Sequence, residues 1–481
     1  MRSRGRVLRD FAATGPAVAY ISVNPVVSMQ RSCFGPKSKT PYYLRVPHNR
    51  STSAGMTTVS EPLSTVQTSV PCPFCGILCD DLEVTTGPGG LKVTKNGCTK
   101  AVAGFERQVS GAEPLIAGKP ATLAEALRAA TQIIKASRLP LYGGLGTDVD
   151  GIRAVMALAD KSGGVVDHAL SEGQYRNFRV LQSQGWFMTT LTEARNRADL
   201  FVVVGSDLHQ LHPRFFERIV NPTVSMLSET PAKRTVVFLG KGLDQSGVSG
   251  TGIGEVITLP CELSQVSEVL SALKAELKGA PLQGAEIAGV KATAITDLAN
   301  RCRKAAYGVM VWAPPSLAFP NAELTVGLVS ELVKEINVTS RFACLSLGGN
   351  EGAVSAGAVC SWQSGYPLRV SFASGKPDYD PLRYVIPKML ATGDGDALLW
   401  ISSFTPDLGP PAATIPTIVL GTPGVKLNGT PAVFIPVGTP GADHAGRIVR
   451  CDNVVSLPLK DLKRSNLPKV SDLLAAIELA L

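Results

Sequence analysis

Four cysteines between residues 72 and 98 constrain this chain more than any other feature of its sequence. Cys72, Cys75, Cys79 and Cys98 follow the spacing C-x2-C-x3-C-x18-C. Four thiolates at two short spacings and one long one are typical of a centre for a metal that prefers sulfur ligands. We therefore expect these four residues to build a metal site.

The segment between the third and fourth cysteines predicts a β-hairpin. Residues 82–86, LEVTT, and residues 91–95, LKVTK, alternate apolar and polar side chains, and the turn GPGG separates them. This pattern is typical of two antiparallel strands. The hairpin would return Cys98 to the loop that carries the first three cysteines.

The spacing leaves three interpretations of the site open. A [4Fe–4S] cluster matches three clustered cysteines followed by a distant one. Zinc sites more often have a C-x2-C pair on both sides, whereas the far side here is a single cysteine. The third interpretation is a remnant that binds no metal. Of the three, the spacing favours the cluster.

The remaining cysteines argue against a disulfide framework. They lie scattered through apolar segments, as free buried thiols do in a reducing compartment, and we therefore expect a cytoplasmic protein. These residues are Cys33, Cys261, Cys302, Cys344, Cys360 and Cys451.

Length and charge predict several globular domains that do not bind nucleic acid. The chain has 481 residues, and no apolar run approaches the roughly 18 residues that a membrane-spanning helix requires. The net charge of +8 is confined to residues 1–55, which hold nine Lys and Arg and one acid. The rest of the chain is neutral, with 38 basic and 38 acidic residues. Three interpretations of residues 1–55 are open: the true start is Met56 and these residues precede it, they are a targeting peptide, or they are a disordered arm. We favour a start at Met56.

Beyond the cysteines, the pattern predicts an α/β fold. Thr122 and Glu125 form a capping box ahead of a helix, and helical segments then alternate with short runs rich in Val, Ile and Leu. This alternation is typical of parallel sheets covered by helices on both faces. Glycine-rich loops follow several runs, but none has a G-x-G-x-x-G or G-x-x-x-x-G-K-[ST] spacing, which disfavours a standard nucleotide enzyme.

Several segments resemble one enzyme family. CPFCGILCDDLEV and NGC are similar to the cluster motif in the B subunit of formylmethanofuran dehydrogenase, a molybdopterin oxidoreductase, and of the bacterial formyltransferase/hydrolase complex. Residues 196–219, 362–381 and 434–459 also resemble that family, in the same order. The resemblance implies a multi-domain layout with a small N-terminal iron–sulfur domain and α/β domains with parallel sheets around a cleft.

We divide the chain accordingly. Residues 1–55 are a basic extension, 56–115 a cysteine-rich cluster domain with a β-hairpin, 116–400 the α/β domains that form the cleft, and 401–481 a C-terminal α/β segment. The resemblance also implies a set of cofactor-contacting residues, which comprises Gly205, Ser206, Asp207, His212, Gly438 and Gly441. Lys100 would occupy the position of an electron-relay lysine, or else be a solvated loop residue. For His209 and His212, which are three residues apart, we favour a structural role over a metal site.

The sequence departs from the family at the expected active-site loop. Active dehydrogenase subunits hold molybdenum or tungsten with two pterins, a protein sulfur and a neighbouring His. Here Glu172 precedes Gly173 and Gln174, which replace that Cys and His. Glycine has no side chain to ligate a metal, and an amide is a poor base. A bispterin metal is therefore disfavoured, with Glu172 as an alternative oxygen ligand.

An expected Arg near residues 345–352 is also missing, and Gly348, Gly349 and Asn350 stand there. We therefore expect one component of a formylmethanofuran dehydrogenase-type complex of one-carbon metabolism, whose own redox site is degenerate. Its partners would be the other subunits and a methanofuran-like carrier, and its complex would interconvert the formylated carrier and formate or CO2. The alternatives are an active molybdenum or tungsten dehydrogenase and a non-catalytic scaffold.

A chain that begins at Met56 should fold and assemble as well as the full chain. The physical reason is that residues 1–55 have no periodic apolar pattern with which to join a core. Thermal unfolding and complex formation of the truncated protein test this expectation. A loss of solubility or of complex formation on truncation would contradict it.

Overall fold

The computed structural model describes residues 64–108, 113–463 and 465–481, and the predicted extension over residues 1–55 lies outside them. Within the described residues, no helix combines the length and the apolar character that crossing a membrane requires. In this part of the chain the helices are α1 Thr99–Phe105, α2 Leu123–Ala136, α3 Val149–Ser162, α4 Ser171–Ser183, α5 Leu191–Arg197, α6 Leu208–Leu211, α7 Val266–Leu277, α8 Ala292–Lys304, α9 Ala322–Ile336, α10 Ala353–Ser364, α11 Ile386–Thr392 and α12 Val470–Ala480.

The strands alternate with these helices over most of the chain. They are β1 Thr65–Val70, β2 Leu82–Gly87, β3 Gly90–Lys95, β4 Leu115–Ile116, β5 Lys119–Pro120, β6 Pro140–Gly146, β7 Val165–Val166, β8 Leu200–Val204, β9 Arg234–Leu239, β10 Ile253–Leu259, β11 Glu286–Ile287, β12 Val290–Lys291, β13 Gly308–Trp312, β14 Phe342–Ser346, β15 Val370–Ser371, β16 Asp378–Tyr379, β17 Ala397–Ser402, β18 Thr417–Gly421, β19 Val433–Pro436, β20 Gly446–Val449 and β21 Ser456–Leu459.

A five-stranded sheet, in the order β10-β9-β8-β13-β14, is parallel throughout. In β8, Phe201 and Val203 face one core while Leu200, Val202 and Val204 face another. Successive side chains of a strand point to opposite faces, so a continuous apolar run produces a strand that is buried on both sides. The prediction of parallel sheets covered on both faces is confirmed for this sheet.

A nine-stranded sheet has the order β16-β15-β7-β6-β17-β18-β19-β4-β5. Its central strands from β7 to β19 are parallel, and the strands at both edges are antiparallel. The boundary that we placed between residues 400 and 401 falls inside β17. The C-terminal segment thus supplies strands to the same sheet as β6, because β17 pairs directly with β6.

The predicted capping box and hairpin are both confirmed. Thr122 accepts a hydrogen bond from the Glu125 N–H, and the Glu125 carboxylate accepts one from the Thr122 N–H. Strands β2 and β3 pair in an antiparallel manner, and β1 extends them to a three-stranded sheet. The apolar face of this small sheet packs in one core with side chains of β8, β9 and β13. The cysteine-bearing segment is therefore fixed to the five-stranded sheet.

The carboxyl ends of the parallel strands in the two large sheets meet. Gly352, in the loop after β14, is so close to the loop after β6 that an added Cβ would lie 2.5 Å from the Thr147 oxygen. Arg107, just after α1, donates to the Phe404 carbonyl and to the hydroxyls of Thr422 and Thr439. These contacts bring the cysteine-bearing segment and both strand-end regions to one place. Strand ends of this kind are where parallel α/β folds bind ligands.

Candidate functional site

The four cysteines predicted as metal ligands converge in the structure. The Cys72 N–H donates to the Cys79 carbonyl over 2.8 Å and closes the loop that carries the first three. Cys98 is the N-cap of α1, directly after the hairpin. Cys72, Cys75 and Cys79 are almost fully buried, and Cys98 is half-buried. The hairpin thus returns the distant cysteine to the loop.

The electrostatics of these thiols reflect burial and mutual crowding. Burial, and then the neighbouring thiols, raise the pKa of Cys75 to about 11 and that of Cys79 to about 12. The pKa of Cys72 rises well above its ordinary value, first through burial and then through the proximity of Cys75, Cys79 and Cys98. Four thiols this close, and this poorly solvated, become stable thiolates only when a cation binds them.

Local donors and cations fit such a centre. The N–H groups of Phe74 and Ile77 donate to the sulfurs of Cys72 and Cys75, which leaves both sulfurs supported by the turn. Arg214 lies near Cys75 and Cys79 and opposes the rise in their pKa. In the described part of the chain, no three His, Cys, Asp or Glu side chains surround a single-ion position. Binding of a metal centre by the four cysteines therefore stays a prediction.

The cysteine loop is in backbone contact with two other loops. Gly76 has a φ of +78°, and an added Cβ would lie 2.4 Å from the Gly348 oxygen. The Cys451 N–H donates to the Gly76 carbonyl over 2.8 Å. Only a residue without a side chain permits this approach. Gly76 therefore fixes the cysteine loop against the loop after β14 and against the segment after β20.

A cavity of about 420 Å³ lies on the other side of these loops, a size typical of small-molecule sites. Gly348, Gly349 and Cys451 line it on the side of the cysteine loop. Its remaining walls come mainly from α4, the segment after α4, the end of β14 and α10, and they include Gln174, Asn177, Phe178, Trp186, Ser346, Ser361 and Trp362. The cavity combines apolar walls with a few polar groups, and one of them is Gln174, which stands where the family resemblance places a His.

The three residues predicted to occupy an active-site loop lie instead in the first turn of α4. The Gln174 amide donates to the Ala353 carbonyl over 2.8 Å. The Glu172 carboxylate accepts a bond of 2.8 Å from Arg369, and this ion pair lowers the pKa of Glu172. Arg369 is 1% exposed and also stacks on Tyr175 at 3.9 Å. Glu172 therefore compensates a buried cation, and the interpretation of it as a free oxygen ligand loses support.

The three predicted cofactor residues after β8 have local partners. Gly205, with a φ of +53°, ends the strand. The Ser206 hydroxyl donates to the Val204 carbonyl and accepts from the Ala313 N–H. The Asp207 carboxylate accepts from the Gln210 N–H and caps α6. These contacts shape the strand end, and cofactor binding by the three residues stays a prediction.

Of the other predicted cofactor residues, His212 and Gly441 lie near the cysteine loop. An added Cβ on Gly441 would lie 3.4 Å from Pro73, and one on Gly438 would lie 2.9 Å from the ring of His444. His212 is buried against the backbone of Cys75, and burial, with Lys100 nearby, lowers its pKa to about 3. Close packing leaves little room for a side chain at Gly438 or Gly441. His212 is neutral at ordinary pH, so its burial does not require burying a charge.

The remaining residues singled out from the sequence do not form a histidine metal site in the described structure. His209 faces the loop of Gly247, whose added Cβ would lie 2.3 Å from the imidazole. His212 faces the cysteine loop instead. Lys100 donates to the Leu211 carbonyl over 2.9 Å, and its charge acts on Cys75. This position, beside the cysteines, is the one expected of a relay lysine, but the role itself stays a prediction.

Sequence reasoning missed a buried carboxylate in the loop after β14, near Lys100 and Arg107. Glu351 has a φ of +54°, and burial raises its pKa to about 7 against the opposing charges of Lys100 and Arg107. Its Oε2 has no hydrogen-bond partner among the described residues. Glu351 directly follows Asn350, the last of the residues that replace the expected Arg. The sequence signal that could have found Glu351 is an acidic residue in the glycine-rich loop that follows a predicted strand.

The comparisons with known proteins agree with the resemblance drawn from the motifs. No family model matches the chain. The chain is 27% identical over 402 residues to the B subunit of the tungsten-containing formylmethanofuran dehydrogenase 2 of Methanocaldococcus jannaschii. This alignment covers 80% of this chain and 91% of that protein. It is 28% identical over 335 residues to the B subunit of the formyltransferase/hydrolase complex Fhc of Methylorubrum extorquens. This second alignment covers 69% of this chain and 87% of that protein.

A solved structure gives the same result at the level of the fold. The crystal structure of the formyltransferase/hydrolase complex (FhcABCD) from Methylorubrum extorquens, in complex with methylofuran, contains a chain with a TM-score of 0.65 and 25% sequence identity. The match covers 76% of this chain and 98% of that chain. The similarity to the B subunits of these complexes, predicted from the cysteine motif, is therefore confirmed.

Replacing Cys75 by Ser should remove iron from the protein. If the four cysteines hold a [4Fe–4S] cluster, anaerobically purified protein contains about four irons per chain and the variant loses them. Iron and sulfide analysis measures this. Cys302→Ser, which changes a buried thiol of another core, is the matched control and should retain iron. One zinc and no iron in the unsubstituted protein would contradict the cluster.

Glu351→Gln should remove a pH-dependent loss of stability. A carboxyl whose pKa is raised in the folded state favours folding below its unfolded pKa, near 4.5, and this contribution is lost as pH rises through about 7. The unsubstituted protein should therefore lose about 3 kcal/mol relative to the variant between pH 4 and pH 8. Urea unfolding at the two pH values measures the difference. Glu229→Gln, at an exposed position, should behave like the unsubstituted protein.

Proposed function

We propose that this chain is the B subunit of a cytoplasmic complex of one-carbon metabolism that transfers a formyl group from a methanofuran-like amine carrier and releases it as formate. Its relatives over most of their length are formylmethanofuran dehydrogenase and formyltransferase/hydrolase subunits. The solved relative is part of a complex with methylofuran, which supports other subunits and a carrier of this chemical class as partners. None of the nine described cysteines is in a disulfide, which supports a reducing compartment.

We further propose that this chain does not itself oxidise or reduce the one-carbon unit. One observation carries this proposal: the first turn of α4, beside the cavity, offers Gly173, a Gln174 amide and a Glu172 carboxylate that is already paired with Arg369. A molybdenum or tungsten centre requires a protein ligand, and proton transfer requires a base near its working pKa. None of these three side chains supplies either.

Within this proposal, the four cysteines hold a [4Fe–4S] cluster that would supply electron storage or stabilise the loop. The chain's own residues bury the sulfurs, donate N–H groups to two of them and place Arg214 and Lys100 nearby. These groups offset the negative charge of a centre held by four thiolates. The cysteine-bearing segment then serves to join the five-stranded sheet and the strand ends of the nine-stranded sheet.

One observation favours a second candidate function, an active molybdenum or tungsten dehydrogenase. The Cys451 thiol lines the cavity, although it comes from a different segment than the missing thiolate at position 173. Burial raises its pKa well above the ordinary value, so it would have to lose its proton to a bound metal. Molybdenum or tungsten with two pterins per chain, lost on Cys451→Ser, would favour this candidate.

The purified complex should release formate from the formylated carrier without reducing a viologen dye. The physical reason is that the first turn of α4, beside the cavity, offers no thiolate and no unpaired base for hydride or electron transfer. Formate release and dye reduction are measured in parallel. Glu172→Ala should leave formate release unchanged, although it removes one of the two carboxylates that compensate the buried Arg369 charge and so lowers stability. Dye reduction at enzymatic rates, abolished in Glu172→Ala, would overturn the proposal.

A further inference from the structure

Five large exposed apolar side chains lie around two neighbouring cavities. Phe187, Met188 and Leu227 line one cavity of about 640 Å³, and Met188, Leu181 and Trp362 line the cavity of about 420 Å³. Met188 is shared by both. The exposed fractions are 54% for Phe187 and for Met188, 62% for Leu227, 39% for Leu181 and 64% for Trp362. We call these five residues the apolar band.

A band of this extent is unusual for a protein that functions alone. Single exposed apolar side chains are ordinary, whereas a run of large ones across two adjoining cavities marks a surface that another molecule covers. Aromatic residues and Met are also the residue types that are enriched at the centres of protein interfaces. The composition of the apolar band therefore indicates a protein partner.

The band also contains an open sheet edge. The segment around Met188 pairs with β14, the last strand of the five-stranded sheet: the Cys344 N–H donates to the Phe187 carbonyl over 2.7 Å, and the Thr189 N–H donates to the Cys344 carbonyl over 2.9 Å. In this parallel pairing the N–H and carbonyl of Met188 point away from β14. Neither has a backbone partner in the described part of the chain. An added strand would satisfy both groups.

The net charge of the side chains that line the larger cavity is positive. Glu193 and Arg197 line the larger cavity and are paired with each other at 2.8 Å. Arg341 lines the same cavity, is exposed and has no ion-pair partner among the described side chains. The unbalanced charge is therefore a guanidinium at the rim. A carboxylate is the group that complements it.

We propose that the apolar band is the docking site of another subunit of the complex, through an extended segment that carries apolar side chains and a carboxylate. This proposal rests on the proposed function, which supplies the partner subunits. The segment adds a strand beside Met188, its apolar side chains cover Phe187 and Leu227, and its carboxylate pairs with Arg341. Because the band reaches Leu181 and Trp362, the docked subunit also covers the mouth of the smaller cavity and shields it from water.

A photo-cross-linking residue, p-benzoylphenylalanine, tests the site in the purified complex. Placed at position 188 it should cross-link to another subunit, whereas at position 479 it should not. Leu479 is a suitable control because it is 88% exposed and lies on α12. A cross-link from position 188 to a second copy of this chain, or to this chain's own first 63 residues, would overturn the proposal. Equal yields from the two positions would do the same.

Substitutions test the energetics of the same site. Met188→Asp should weaken the affinity for the docked subunit at least about tenfold, since it places a charge in a desolvated contact. Leu479→Asp should leave the affinity unchanged. Arg341→Glu should weaken it and Arg341→Lys should largely retain it. The affinity is measured by native mass spectrometry of titrated subunits, with thermal unfolding to verify that each variant is folded.

The outcomes separate this inference from the proposed function. If the unsubstituted chain does not bind the formyltransferase or hydrolase subunits, the proposed function fails and this inference fails with it. If the unsubstituted chain and Met188→Asp assemble equally well, only this inference fails. The cross-linking result stands independently of how well the Asp variant folds, because position 188 is exposed and accepts a large apolar side chain.

Discussion

The backbone contact between Gly76 and the loop after β14 is the constraint on which the arrangement of the site depends. An added Cβ on Gly76 would lie 2.4 Å from the Gly348 oxygen, and the Gly76 carbonyl also accepts the Cys451 N–H. Gly348 and Gly349 contact Gly76 and also line the cavity, so their backbone lies between the cysteine loop and the cavity. Arg107 adds a second connection, since it joins the same segment to three strand-end loops of the nine-stranded sheet. The segment is thus fixed on both sides.

The buried ionisable side chains of this region either form ion pairs or have pKa values shifted towards the neutral form. Arg369 is compensated by Glu172 and Asp167, with Tyr175 stacked on its guanidinium. Asp167 is fully buried, and burial raises its pKa to about 6 although Arg369 opposes the rise. Glu351 has only partial compensation from Lys100 and Arg107. An isolated charge at such a depth is costly, so each of these groups must be paired or neutral.

Local patterns in the sequence were sufficient for the elements and for the four cysteines. The hairpin follows from alternation and its turn, the start of α2 follows from Thr122 and Glu125, and the parallel sheets follow from continuous apolar runs. These features depend on neighbours in the sequence. The assignment of β17 to the sheet of β6 could not be predicted in this way, because pairing between distant strands leaves no periodic signal in either one.

The same limit applies to the site. The environments of Glu351, Arg369 and Cys451 depend on which loops meet, and that follows only from the tertiary fold. The sequence presents position 172 as a free carboxylate because its partner, Arg369, is distant along the chain. It presents Gly205 and Ser206 as ligand residues because strand-end loops often bind ligands, yet local hydrogen bonds already account for Ser206.

The order of the strands in the nine-stranded sheet has a consequence for how the chain matures during synthesis. Strand β6 lies early in the chain, but its neighbours β17, β18 and β19 lie in the last fifth, as does Cys451. Contacts between distant segments form late, and domains fold only once their elements have left the ribosome. The cysteine loop leaves the ribosome well before these strands. It therefore stays accessible to solvent until nearly the whole chain has been translated. The four thiols are therefore accessible to other molecules for a limited time, which ends when the C-terminal strands join the sheet.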